Sequence, residues 1–135
     1  LQKKPAFVDK SAQIPIERRP LAFATTELIL DLLYVARDRF SGDYERMWIY
    51  FCTAHAREAG VTRREIGAVT GLARETVRRK VTHMLAAGEL KIGQRGRLYA
   101  AAEQSDPHVQ AFNREAKRAA QSYARRVTRF GVSVD

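Results

Sequence analysis

The sequence predicts a mainly α-helical fold carrying one small β-hairpin. Three observations carry that expectation. Apolar residues recur at three- and four-residue steps through residues 26–87 and again through 107–130, which is the helical period. Strict alternation is confined to residues 90–92 and 97–100, on either side of Gly93-Gln94-Arg95-Gly96. The 135 residues, 45% of them apolar, are enough to build one compact core.

Taken in order, residues 1–24 contain Pro5, Pro15 and Pro20 with scattered Phe7, Ile14, Ile16, Leu21 and Phe23. Prolines at that density oppose a helix, and the apolar residues oppose a fully disordered tail. An extended arm is expected, packed on its own core or on a partner subunit. A helix follows over 26–40, where Leu28, Ile29, Leu32, Leu33, Val35, Ala36 and Phe40 are too many for one narrow stripe. Burial on more than one side is expected. Ser41-Gly42-Asp43 breaks that helix, and Asp43 can cap the next one, over 44–59, with Gly60 at its end. Met47, Trp48, Tyr50, Phe51 and Ala54 supply its expected core face.

Residues 62–90 read as two short helices joined by a tight turn. Thr62 and Glu65 have the spacing of a capping box, in which each side chain satisfies a backbone N–H of the other. Ile66 and Val69 give the first helix its expected apolar face. Gly71 stands where the chain must turn through positive φ. The second helix carries Val77, Val81, Met84 and Leu85 inward, at i, i+4, i+7 and i+8. Outward it carries Arg74, Glu75, Arg78 and Arg79. Arginines at the exposed N-terminal end of an amphipathic helix suit a DNA major groove. Gly88 ends this helix, and the 90–100 hairpin follows with Arg95 and Arg97 at or beside its tip. Asp106-Pro107 then opens the last helix, Asp as cap and Pro at the first helical position. Gly131 closes it.

The segment Thr62-Arg63-Arg64-Glu65-Ile66-Gly67, then Gly71, then Arg74-Glu75-Thr76-Val77 and Arg79, resembles the DNA-binding domain of the Crp/Fnr family of transcription regulators. The resemblance spans 62–98, about a quarter of the chain. It implies a winged helix-turn-helix, with the 74–87 helix in the major groove and the 90–100 hairpin as the wing. The β-rich nucleotide-binding domain of that family has no counterpart here, so no cyclic nucleotide and no other cofactor is expected. By the same resemblance Arg74 and Arg79 read guanines and Glu75 a cytosine, pairings that hydrogen-bond geometry supports. The alternative is a solvated Arg/Glu helix face. Arg78 and Lys80 read equally as phosphate contacts or as solvated side chains, and Thr62, Arg63 and Thr76 as weaker backbone contacts. Arg95 and Arg97 are expected at phosphate or in the minor groove. Two positions depart from the family. Ala73 replaces a capping serine, and Lys80 replaces an aliphatic residue.

The domain organisation expected is an arm over 1–24, a winged unit with an added N-terminal helix over 25–101, and a C-terminal helix over 102–135. The last helix carries Val109, Phe112, Ala116, Ala119, Ala120, Tyr123, Val127 and Phe130 at helical spacing, a stripe expected to pair two subunits. The flanking helices resemble, in architecture only, the dimer scaffold of the MarR-type regulators.

Formal net charge is +9, which points to a polyanionic partner. The charge is uneven. Residues 61–99 hold nine Lys/Arg against three acids, whereas 25–60 hold four against six. The single cysteine, Cys52, excludes an intrachain disulfide and fits a reducing compartment. Cys52 with His55 falls short of the four ligands zinc wants, so no metal is expected. No nucleophile–base motif suggests an enzyme. No apolar run is long enough for a membrane span. The expected function is therefore sequence-specific binding of double-stranded DNA by a cytoplasmic, nucleoid-associated homodimer, as a transcription regulator. The alternatives are a plasmid or phage replication or partition initiator, and a MarR-like sensor released from DNA by a small-molecule effector.

Overall fold

The structure, a computed structural model, describes residues 20–101 and 106–129. Among these the order is α1 (Pro20–Phe40), α2 (Tyr44–Ala56), a 3-10 turn (Arg57–Ala59), α3 (Arg63–Thr70), α4 (Arg74–Ala86), β1 (Leu90–Ile92), β2 (Leu98–Ala100) and α5 (Pro107–Arg129). The chain is thus mainly α with a small antiparallel hairpin, as its periodicities predict.

α1 starts earlier than expected. Pro20 is its first residue, a position where the missing N–H costs no helical hydrogen bond. The last five residues of the predicted arm, 20–24, are therefore helix, and residues 1–19 lie outside the described residues. α1 is also less buried than its composition suggests. Ala24, Ala36 and Phe40 are buried, whereas Ile29 is 52% exposed and Leu21 46%.

Local signals set the next boundaries. Ser41 and Gly42 both take positive φ, which ends α1. Asp43 then caps α2 by accepting the Arg46 N–H at 3.0 Å. α2 stops at Ala56 rather than 59, because Arg57 takes φ 51° and ψ −130°. Of its predicted core face Tyr50 is buried and Met47 packs against the core, while Ile49 and Thr53 take the other buried positions and Ala54 is exposed. Trp48 remains 45% exposed, and Phe51 lies edge-on to the Phe40 ring. Apolar residues occupy most of this helix, so the sequence alone does not fix its rotation.

α3 carries the expected capping box, and Gly71 ends it in the left-handed region at φ 72°. Ile66 is fully buried, but Val69 is 65% exposed and Thr70 takes the inner position. Residues 66 and 70 share one face of so short a helix, and Thr70 satisfies its hydroxyl by donating to the Ile66 carbonyl at 2.8 Å. In α4 Val77, Val81 and Met84 are buried as predicted.

β1 and β2 pair with Leu90 opposite Ala100 and Ile92 opposite Leu98. Leu98 also exchanges backbone hydrogen bonds with Val61, at 2.8 and 3.0 Å, which fastens the hairpin to the start of the α3 segment. Ile92 is 55% exposed because the hairpin projects past the core. That core is Phe40, Ile49, Ile66, Val77, Val81, Met84, Leu90 and Leu98, with Phe112 packed against it.

Asp106 caps α5 by accepting the His108 N–H at 2.8 Å. α5 lies antiparallel on α1. Phe112 meets Phe40 at a ring separation of 6.2 Å near one end, and Arg126 Nη1 lies 2.5 Å from Glu27 Oε2 near the other.

Candidate nucleic-acid interface

The α3–turn–α4 unit positions most of the predicted site. Ala73 sits at the α4 N-cap with φ −61° and ψ 144°, the extended backbone of a cap, but it offers no side-chain acceptor. The first turn of α4 therefore keeps open N–H groups beside Arg74. Arg74, Glu75, Arg78 and Arg79 are all exposed, and Thr76 is half-buried. The inward set Val77, Val81 and Met84 pins α4 to the core, so its rotation presents these polar residues to solvent.

Two of them are already paired. Arg78 Nε donates to Glu75 Oε2 at 2.9 Å, and its Nη2 donates to Oε1. That guanidinium, with a smaller effect from Arg79, holds the Glu75 carboxyl below the usual carboxylate range. An exposed pair of this kind contributes little to stability and exchanges partners readily.

The structure corrects the expectation for Lys80. Its ammonium lies 2.6 Å from Asp43 Oδ2 and 3.7 Å from Glu45 Oε1, with only 18% of the side chain exposed. Lys80 therefore faces α2, and its departure from an aliphatic residue is matched by the acids across from it. Arg97 is engaged within the chain too. Its Nη1 donates at 3.3 Å to both the Gly60 carbonyl and Glu65 Oε1. It braces the hairpin against the α3 N-terminus, whereas Arg95 stands exposed at the tip with φ 60°.

Thr62 Oγ1 accepts the Glu65 N–H at 3.1 Å and donates to Glu65 Oε1 at 3.0 Å, so its hydroxyl is engaged locally. The Thr62 N–H and hydroxyl, together with Arg97, hold the Glu65 carboxyl below its ordinary range. Arg63 is half-buried on the first turn of α3, next to exposed Arg64.

Long-range contacts that nothing in the spacing marked hold this surface in shape. Arg46 Nε lies 2.9 Å from both Glu89 carboxylate oxygens, and Arg46 Nη1 donates to the Phe40 carbonyl at 3.1 Å. α2 is thereby tied to the junction of α4 and β1. The Tyr99 ring fills the space between Gly60 and Gly93, where a Cβ would come within 2.8 and 2.6 Å of it. Only glycine permits that approach, and it holds the turn end of the hairpin against the segment before α3.

The predicted dimer stripe is largely consumed within the chain. Val109, Ala119 and Val127 are buried and Phe112 joins the core, with α5 packed along α1 of the same chain and Phe112 also against Phe51 of α2. Ala116 and Tyr123 are half-buried, Ala120 is exposed, and Phe130 lies outside the described residues. A cavity of about 1170 Å³ opens between α1 and α5, lined by Tyr34, Arg39, His108, Phe112, Arg118 and Arg125 among others.

Cys52 is partly buried, and burial pushes its thiol up in pKa, which disfavours the reactive thiolate. Among the described residues no helix is long and apolar enough to cross a membrane. No family model, curated protein or solved structure matches the chain.

Proposed function

We propose that the protein binds double-stranded DNA sequence-specifically through a winged helix-turn-helix and acts as a transcription regulator. One observation carries the reading. A helix held by three buried residues presents Arg74, Glu75 and Arg79 at its uncapped N-terminal end, beside a hairpin tipped by Arg95. α4 would enter the major groove by that end, and the hairpin would lie along the backbone. The uneven charge supports the same surface, since residues 61–99 carry most of the basic excess. Glu75 must exchange Arg78 for a base edge on binding, and the exposure of the pair makes that exchange easy.

The test is selection from random duplex DNA followed by binding titrations. Arg74→Ala, Glu75→Ala and Arg79→Ala should each weaken specific binding by about 1–3 kcal/mol and relax preference at particular base pairs. Selection of the same site with the same affinity by the triple variant would remove α4 from the recognition surface.

A ligand-responsive regulator is a second reading, favoured by the cavity between α1 and α5, which is lined by the acids Asp31, Asp38 and Glu115 as well as by Arg37, Arg39, Arg118 and Arg125. A thermal-shift screen of small organic molecules, in which binding raises the unfolding temperature, addresses it.

A further inference from the structure

We infer that the groove between α2, the β-hairpin and α5 is a docking site for an acidic, aromatic-bearing peptide segment of a partner protein. The groove has a volume of about 540 Å³. Four aromatic side chains from three elements line it: Tyr50 and Phe51 of α2, Tyr99 of β2 and Phe112 of α5. Phe51 is 36% exposed although the Phe40 and Phe112 rings pack beside it, so part of this cluster meets solvent.

The charged lining is Arg39, Arg57 and Lys91 against one acid, Glu58. Arg39 is half-buried, and its guanidinium lies over three rings, 4.4 Å from the centroid of Tyr50, 5.0 Å from Phe40 and 5.1 Å from Phe112. Ring faces attract the cation and leave its in-plane N–H donors to a further partner. Among the described residues neither Arg39, Arg57 nor Lys91 pairs with a carboxylate, whereas Arg46, Lys80 and Arg97 do. Arg57 stands at φ 51° and ψ −130°, a combination that favours glycine. An arginine there places a cation on the groove in spite of a conformational cost.

This composition selects the occupant. Arginine and aromatic residues together are what protein contacts concentrate at their centres. The basic excess calls for acids on the partner, and the ring faces call for aromatic side chains between those acids. The rim is open, since Ala54, Arg57, Glu58, Lys91 and Asn113 are exposed. A peptide can run along such a groove with its ends in solvent, whereas a small ligand would keep much of its surface wet. α4 contributes no lining residue, so the site and its test are independent of the DNA reading.

Selection of a random-peptide display library on the intact chain tests it, with a synthetic peptide of the most enriched sequence then titrated by fluorescence anisotropy. Enriched sequences should combine Asp or Glu with Phe, Tyr or Trp. Arg57→Gly should weaken the peptide about tenfold while the fold is kept, since glycine suits the backbone there. Lys91→Ala should weaken it in the same direction. Lys117→Ala, which removes an exposed cation of α5 outside the groove, and the Arg74/Glu75/Arg79→Ala triple variant should leave it unchanged. No enrichment, enrichment without acids, or a peptide indifferent to both Arg57→Gly and Lys91→Ala overturns the proposal. So does a groove with another occupant: benzoate binding as tightly as the peptide, non-specific duplex DNA displacing it from the triple variant, or a second copy of the chain displacing it as protein concentration rises.

Discussion

Lys80 has the sequence context of a DNA contact and the structural position of a brace. Its ammonium meets the carboxylate that caps α2, so one Asp43 side chain serves a helix N-terminus and a cross-helix ion pair. Burial pushes the Asp43 carboxyl up, but the Lys80 ammonium and the Arg46 N–H outweigh it and hold the group below its ordinary value of 3.8. A folded value below the unfolded one means the contribution is present above the unfolded pKa and fades as pH falls through the folded one. The wild type should therefore lose stability more steeply than Asp43→Asn between about pH 5 and about pH 3. Urea unfolding across that interval measures it, and equal slopes would mean the ion pair contributes nothing. DNA binding separates Lys80 from Arg95. Arg95→Ala should lower the slope of log affinity against log salt by about one, as loss of one phosphate contact does. Lys80→Ala should reduce stability and leave that slope unchanged.

At the scale of the elements, α4 begins on a cap-shaped backbone without a capping side chain. Ala73 already has the extended φ and ψ a cap requires, so Ala73→Ser needs no rearrangement to accept an N–H of the first turn. It should stabilise the chain by about 1 kcal/mol in chemical denaturation. An unchanged midpoint would show that the first turn is satisfied in another way. The other boundaries are legible in the sequence because their causes are local. Thr62 with Glu65, Gly71, Asp43 and Asp106-Pro107 each act within a few residues of themselves. What is not legible depends on partners far along the chain. The Arg46–Glu89 pair joins residues 43 apart, and Arg97 reaches 32 residues back to Glu65. α2 carries apolar residues nearly all round, so only the packed neighbours decide that Ile49 goes in and Trp48 stays out. The α5 stripe is apolar, as its spacing implies, but much of its partner surface is α1 of the same chain. Pro20 misleads for the opposite reason: a residue that breaks helices in their interior begins one here. Of the candidate site, α4's outward residues follow from helical period alone, whereas the orientations of Lys80 and Arg97 need the fold.

For the whole molecule, α5 links the core to the stripe expected to pair two subunits. Val109 and Phe112 in its first turns are buried or packed on the core, and its far half carries Ala116, Ala120 and Tyr123 of that stripe. A dimer formed there would hold two α4 helices in a fixed relation, because α1 and α5 pack directly against the core that carries α4. Two-fold symmetry of the protein is then mirrored in the DNA, and the recognised site should be an inverted repeat. For two recognition helices on the same side of a duplex the half-sites lie one turn apart, about 34 Å or roughly 10–10.5 base pairs centre to centre. Selected sequences should show that symmetry, and inserting about five base pairs between the half-sites should weaken binding by roughly a hundredfold, because it turns one half-site to the opposite side of the duplex. Ala120→Glu, at the exposed edge of that stripe, should abolish the sensitivity to spacing while retaining weak binding to each half-site, since α4 itself is untouched. Tight binding to a single half-site by the intact chain, indifferent to the insertion, would leave α4 as a DNA-reading helix and remove symmetry from the way it finds its site.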